Sequence, residues 1–311
     1  MKQSAEHLTV LKTEAVAALA VRSGGNYLDA TFGRGGHSKA ILEQLGDSGK
    51  LLVIDKDPEA IAVAEQFADQ HANLKVIHGS FSELAEISQD LQLEGELAGI
   101  LFDLGVSSPQ LDDASRGFSF MHDGPLDMRM NPEQGVSARE WINSAKEKEI
   151  ADVLYEFGEE RHSRRMARRI VLERQESPIE TTGRLAEIIK EANPAWEKDK
   201  HPATRAFQGI RIFINSELDD LKIALDQAMD MLAVGGRLVV ISFHSLEDRI
   251  VKKFIAMQTK GDNFPRDLPV SADMLNPKLK MIGKAVKASA NEVNGNPRAR
   301  SAVMRVAEKI A

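Results

Sequence analysis

The chain has 311 residues, 42% hydrophobic and 28% charged, an ordinary composition for a globular protein; it has no cysteine, which excludes disulfides, a thiolate nucleophile and a cysteine-bound metal. Its formal net charge of −7 argues against nucleic acid as a partner of the surface as a whole, although local basic patches, not total charge, hold phosphates. No apolar run approaches the about 20 residues that cross a bilayer, and Met1 to His7 lack a signal peptide's apolar stretch, so a cytoplasmic address is expected.

Residues 9–21 have helical periodicity, with Leu11, Ala15, Ala18 and Leu19 on one side. Asn26 to Asp29 reads as a short first strand. Gly33-Arg34-Gly35-Gly36 reads as a glycine-rich turn opening a helix, which Lys39 to Leu45 continue and Gly46 to Gly49 end. Lys50 to Asp55 is a second strand, and Asp57-Pro58 start the next helix, with Pro58 suited to its first turn. Asn73 to His78 is a third strand and Leu97 to Asp103 a fourth, apolar until its acid. The order β-α-β-α-β-α-β predicts a doubly wound parallel sheet in an α/β fold.

The pattern then breaks. From Ser107 to Asn215 no buried strand is legible; polar loops give way to helices, as where Ile150, Val153, Leu154 and Phe157 repeat. The apolar strand Arg237 to Ser242 comes only after a helix over Ser216 to Leu232 and a turn at Val234-Gly235-Gly236. A sheet interrupted and then resumed means an inserted domain. The expected division is 1–109 with 216–311 for the sheet domain, and 110–215 for an inserted all-helical one. Met281 to Ala288 and Ser301 to Lys309 are candidates for the last two strands, joined by a turn region at Asn294-Gly295-Asn296-Pro297.

In such a sheet the carboxyl ends of the strands line the ligand crevice. Asp55 lies nineteen residues after Gly36, the spacing that sets a carboxylate on a nucleotide ribose. The glycines run Gly33-x-Gly35-Gly36 instead of G-x-G-x-x-G, and Asp29 precedes them. An acid beside a bare-backbone turn suits the sulfonium and ammonium of S-adenosylmethionine better than a diphosphate; a nicotinamide dinucleotide stays open as the rival. Asp57 is alternatively a helix N-cap. Phe81, after the third strand, either covers an adenine face or packs into the core. Asp103 ends the fourth strand beside Gly105, where a carboxylate faces the transferred group. Enzymes that methylate exocyclic amines often carry Pro-Pro-aromatic after this acid; here Leu104-Gly105-Val106 follow. His244, in Ser242-Phe243-His244-Ser245, is a base or substrate contact, or it merely packs beside a Ser245 cap.

A Ser-His-Asp hydrolase is a poor reading, because no G-x-S-x-G elbow occurs. His7, His37, His122 and His201 lack metal-ligand spacing, so no metal is expected. Six arginines fall between Arg161 and Arg174. At about 100° per residue, Arg161, Arg164, Arg165, Arg168 and Arg169 share one helix face opposite Met166 and Ile170. Such a face is either simply solvated or holds nucleic-acid phosphates bidentately. Lys278, Lys280, Lys284, Lys287, Arg298, Arg300, Arg305 and Lys309 make the tail basic as well.

Several longer motifs then take on meaning together. They are His7-Leu8-Thr9-Val10-Leu11, Asp29 to Ser38, Phe102 to Leu111, Arg116 to Phe120, Asp123-Gly124-Pro125-Leu126-Asp127-Met128-Arg129-Met130, Pro202 to Gln208, Ile241 to Arg249 and Asn296 to Ala302. With these the chain resembles the RsmH/MraW family, bacterial methyltransferases acting on the N4 amine of a cytidine in small-subunit ribosomal RNA. The resemblance implies a Rossmann-like class I methyltransferase sheet with a helical insert. It implies transfer from S-adenosyl-L-methionine by in-line attack of the amine on the sulfonium methyl, with the target in the decoding region of 16S rRNA within the small ribosomal subunit. It also implies a cofactor site at Gly35, Gly36, His37, Asp55, Phe81, Asp103 and Gln110, of which His37 and Gln110 rest on the resemblance alone. Asp103 is the candidate for orienting cofactor or amine, with His244 as second catalytic candidate. Arg161, Arg164, Arg165 and Arg168 are the RNA-binding candidates, and a homodimer is compatible with the family. Two departures stand out: Thr9 where many members have proline, and Gly209 where many have alanine.

Overall fold

The computed structural model describes residues 8–194, 201–262 and 275–311; His7 lies outside them. The chain forms two compact units, one of residues 1–105 and 218–311, the other of residues 106–217. No helix among the described residues is long and apolar enough to cross a membrane.

The first unit is an eight-stranded mixed sheet between helices. In chain order it begins α1 (Lys12–Leu19), β1 (Asn26–Asp29), α2 (Gly36–Leu45), β2 (Lys50–Asp55), α3 (Pro58–Ala68), β3 (Leu74–His78), α4 (Leu84–Leu91) and β4 (Leu97–Asp103). The second unit holds α5 (Ser108–Asp112), α6 (Ala138–Ser144), α7 (Glu147–Glu156), α8 (Ser163–Glu176), α9 (Thr182–Ala192) and α10 (Thr204–Ile214). The sheet unit resumes with α11 (Glu217–Met231), β5 (Leu232–Ser242), α12 (Ser245–Lys260), β6 (Leu279–Met281), β7 (Val286–Lys287), α13 (Ala290–Gly295) and β8 (Val303–Lys309).

The strand order is β3-β2-β1-β4-β5-β8-β6, with β7 pairing β8. β1 to β5 are mutually parallel, and β8 runs antiparallel to β5, β6 and β7. The order reverses at β1, which has β2 on one side and β4 on the other. That is the switch point where open α/β sheets bind ligands. Both faces of the sheet are buried, so the central strands are apolar throughout. Leu28, Leu52, Ile54, Ile100, Phe102, Leu238 and Val240 face one core with Leu84, Leu225, Val251 and Phe254. The alternate residues Tyr27, Leu51, Val53, Leu101, Val239 and Ile241 face the other with Leu11, Leu19, Ile41, Leu45 and Ala64. That alternation is the two-residue period of a strand.

The structure corrects several sequence expectations. The first helix is shorter, because Leu11 and Ala20 at its ends adopt left-handed conformations (φ 51 and 50). The Val234-Gly235-Gly236 turn lies within β5. There the pairing with β4 jumps from Leu97 opposite Leu232 to Gly99 opposite Arg237, so the three residues form an irregularity inside the strand. The expected strand over Met281 to Ala288 is two short ones, β6 and β7. The Asn294 to Pro297 turn is the end of α13 followed by a 3-10 turn, Pro297–Ser301.

The helical unit packs around Trp141, Ile142, Ile150, Leu154, Met166, Ile170, Leu185, Ile189, Phe207 and Ile210. Gly209 is explained here: a Cβ on it would stand 2.7 Å from the backbone nitrogen of Gly158. The small residue lets α10 meet the end of α7 backbone to backbone.

Candidate functional site

Three carboxylates end parallel strands of the sheet: Asp29 on β1, Asp55 on β2 and Asp103 on β4. A fourth, Glu247, sits in the first turn of α12, just after β5. Asp29 lies within electrostatic reach of Asp55 and Asp103 and Glu247 within reach of Asp103, each raising its neighbour's pKa beyond the effect of burial.

Asp29 is buried beneath the glycine turn. Ser38 Oγ donates to its Oδ2 at 2.6 Å and the Thr31 N–H to its Oδ1 at 3.2 Å. Burial pushes its pKa up to about 6 against these two hydrogen bonds. Asp55 has both oxygens on backbone donors, Gly33 N at 2.7 Å and Asp57 N at 2.9 Å. Burial pushes it to about 6 as well, those donors opposing, with Asp57 and Asp29 adding repulsion. Asp57 caps α3, accepting from Glu59 N at 2.9 Å.

The turn between β1 and α2 has Gly33 and Gly35 at φ 57 and 76, a region that disfavours side chains. Gly36 is a glycine for another reason. A Cβ there would overlap Thr9 Oγ1 at 1.8 Å, so the N-terminal segment leans directly on the turn. His37 follows, buried, with Nδ1 at 3.5 Å from Asp103 Oδ2. Burial lowers the imidazole pKa to about 4 and holds the Asp103 carboxyl well above the usual range, so burial favours the uncharged form of each. His37 Nε2 and Asp103 Oδ1 are buried polar atoms with no hydrogen-bond partner among the described residues. Thr31 Oγ1 fixes the Asp103 backbone, accepting its N–H at 2.6 Å.

Phe81 lies half-buried in a 3-10 turn after β3, edge-on to Phe102 with centroids 5.8 Å apart. It therefore contacts the core while keeping part of its ring exposed. His244 N-caps α12, with Nε2 at 3.0 Å from Glu247 Oε1. Glu247 Oε2 in turn accepts from Phe243 N at 2.8 Å.

The sequence reading missed Ser38, Thr31, Glu247 and Asp220. Asp220, in the first turns of α11, accepts from Lys56 Nζ and from Ser80 Oγ, each at 3.0 Å. One carboxylate thus ties the residue after Asp55 to the residue before Phe81. Separations of 164 and 140 residues leave no local signal for it. Glu247 was legible as a helix-capping acid, three residues after His244.

The remaining candidates belong to the helical unit. Gln110 closes a capping box on α5, with Ser107 N donating to its Oε1 at 2.8 Å. Arg161 precedes α8, whose buried side is Met166, Ala167 and Ile170. Arg164, Arg165 and Arg168 are exposed and make no ion pair among the described residues. Arg169, expected on the same face, is held by Glu173 at 2.7 Å and Glu191 at 3.1 Å.

The donor set tests what the sheet site accepts. Asp29, Asp55 and Glu247 beside the unpartnered Asp103 Oδ1 and a neutral imidazole favour a positively charged ligand with hydroxyl or ammonium donors. A diphosphate at the same turn would be repelled by the ionised carboxylates there, Asp29 and Asp55 among them. The residues present fit S-adenosylmethionine and do not fit a dinucleotide.

Comparison with known proteins agrees. The chain matches the MraW methylase family over residues 4–310. Among solved structures it is similar to an rRNA methylase from Streptococcus thermophilus, with 12% identity, 99% of this chain and 100% of that chain covered, and a TM-score of 0.41. It is also similar to SMU.1697c of Streptococcus mutans in complex with SAH, with 11% identity, 97% and 99% covered, and a TM-score of 0.43. A SAM-dependent O-methyltransferase from Thermotoga maritima matches at 10% identity, 100% and 69% covered, and a TM-score of 0.43.

Proposed function

The chain belongs to the MraW methylase family and is an S-adenosylmethionine-dependent methyltransferase; from that premise we propose that it methylates the N4 amine of a cytidine in the decoding region of 16S ribosomal RNA. The observation that carries the reading is the carboxylate cluster at the switch point of the sheet, with Asp103 Oδ1 and His37 Nε2 left without partners among the described residues. S-adenosylmethionine supplies an electrophilic methyl group on a positively charged sulfur. Asp55 and Phe81 are the residues to hold its adenosine, by hydrogen bonds to the ribose and by contact with the adenine face. Gly35 and Gly36 keep the turn open to it, and His37 and Asp103 complete the set within the sheet unit, with Gln110 of the helical unit a candidate on the family resemblance.

The N4 lone pair of cytosine is delocalised into the ring, so it is a weak nucleophile. Holding it in line with the methyl carbon contributes several kcal/mol. Asp103, as an acceptor aimed at the amine or the cofactor, stabilises charge as N4 becomes tetrahedral. A strong base is not required, because the N4 proton turns acidic once the methyl has arrived; His244 is the candidate for handling it. The cytosine must be unstacked or single-stranded for N4 to be reached. Arg161, with Arg164, Arg165 and Arg168 on the exposed face of α8, suits nucleic-acid phosphates.

Incubating the protein with isolated small ribosomal subunits and methyl-labelled cofactor, followed by nucleoside mass spectrometry, tests the proposal. Label in N4-methylcytidine is expected. Label in another nucleoside, or in DNA alone, overturns the acceptor, and binding without transfer makes the protein an assembly factor.

A further inference from the structure

The methyltransferase unit carries its own concentration of positive charge, and strand register puts it beside the carboxylates. β5 and β8 pair with Ser242 opposite Val303, and β7 pairs β8 with Lys287 opposite the same Val303. Lys287 and Val303 therefore lie at the end of the sheet where β5 delivers His244. The chain between them, with α13 and the Pro297–Ser301 turn, leaves and re-enters the sheet at that edge. Its contacts agree. Asn296 Nδ2 donates to Leu8 O at 2.8 Å and Leu11 N donates to Glu292 Oε1 at 2.6 Å. Thr9, between Leu8 and Leu11, is the residue that leans on Gly36. One short stretch of chain thus separates this segment from the glycine turn.

The segment's charge is lopsided. Residues 275–302 contain Lys278, Lys280, Lys284, Lys287, Arg298 and Arg300 but a single acid, Glu292, in a chain of net charge −7. That acid is engaged with Leu11. All six cations are exposed, and Lys284, Lys287 and Arg300 make no ion pair among the described residues. Ala299 is fully buried, anchoring the turn that carries Arg298 and Arg300 at the surface.

A polyanion brought to an edge lined by ionised carboxylates, Asp29 and Asp55 among them, is repelled. At physiological salt, charges act over about 8 Å, so the attraction that offsets this repulsion must come from cations on the same edge. We propose that Lys287, Arg298 and Arg300, with Lys284 beside them, form a phosphate-contacting rim by which the methyltransferase unit itself holds single-stranded RNA next to the methyl-transfer edge. The rim belongs to the sheet unit, whereas the arginine face of α8 belongs to the helical unit, and it rests on the reading of the acceptor as RNA.

The test is binding of a fluorescein-labelled single-stranded oligoribonucleotide, followed by anisotropy across a salt series. The variant Lys284→Gln/Lys287→Gln/Arg300→Gln leaves Arg298 in place, because that residue also makes contacts within the protein. It should bind about tenfold more weakly at physiological salt. Its slope of log K against log salt should be shallower by about 2, from three cations at roughly 0.7 each on a single strand. Calorimetric affinity for S-adenosylmethionine and the melting temperature should not change. The control Arg164→Gln/Arg165→Gln/Arg168→Gln should keep the rim's share of binding. Unchanged affinity and slope in the rim variant, with the wild type binding normally, overturn the rim alone. A wild type that binds no oligoribonucleotide overturns the RNA reading and the rim with it. Joint loss of cofactor and RNA binding in the rim variant also overturns the rim, since the residues then support the fold.

Discussion

The Asp55 carboxylate accepts the Gly33 N–H at 2.7 Å, so the end of β2 holds the turn that follows β1. The two residues are 22 positions apart, Asp55 ending β2 and Gly33 lying in the turn after the neighbouring strand β1. From spacing alone Asp55 is a ribose ligand. In the structure it also shapes the glycine turn, and each of its oxygens keeps a further lone pair for a ligand hydroxyl.

Asp55→Ala should therefore weaken S-adenosylmethionine binding more than loss of one ligand contact would. Hydrogen bonds to a charged group are worth about 1.5–3 kcal/mol, so a loss of tenfold to a hundredfold is expected by calorimetry. Unchanged affinity would remove Asp55 from the site.

Asp103→Ala should lower kcat by about a hundredfold, the scale of losing one preorganised polar group. Its Oδ1 has no partner and its burial disfavours charge. The variant should thus keep or raise the melting temperature. Near-normal turnover would exclude Asp103 from the chemistry, and a large fall in melting temperature would assign it to the fold.

Asp220→Ala should raise KM for the cofactor about fivefold to tenfold while kcat holds, because it ties Lys56 and Ser80 at the cost of about one net charged hydrogen bond when removed. Asp220→Asn retains an acceptor oxygen and should restore most of the affinity. A fall in kcat with KM unchanged would contradict this positioning role.

Cofactor affinity should drop as pH falls below about 6. Asp29 and Asp55 have free-state pKa values of about 6, and a bound cation favours their ionised forms, so binding releases protons between about pH 4 and 6. Protonation of each carboxyl then weakens binding progressively as pH falls below about 6. Calorimetry within that pH range in two buffers of different ionisation enthalpy reads the released protons directly; equal heats would show no linkage. Without ligand the same two carboxyls act on stability in the opposite sense. Their contribution is complete below the ordinary carboxylate pKa and is lost as pH rises through about 6. His37, lowered to about 4, contributes above its ordinary pKa near 6.5 and loses that contribution as pH falls through about 4.

Much of the first unit was legible because its signals are local. β1, β2 and β4 have the ends that their apolar runs suggest, and Gly33 to Gly36 announce the turn. The buried face of α8 likewise follows from helical period, with Met166 and Ile170 inside. Where β5 departs from a single ladder, the reason is its pairing with β4, which no window of sequence contains.

The sequence by itself determined the parallel sheet, its interruption, the family and therefore the methyl donor, since periodicity, turn chemistry and motif order are all written within short stretches. Only the tertiary structure decided what the named residues do to one another. Strand order brings Asp29 within reach of Asp55 and Asp103, and Glu247 within reach of Asp103, and burial by other segments shifts the three aspartates' pKa values. Asp220 reaches two loops from a distant helix, and antiparallel register carries Lys287 to the catalytic edge. Each of these depends on long-range pairing and desolvation, which the fold supplies and the local sequence does not encode.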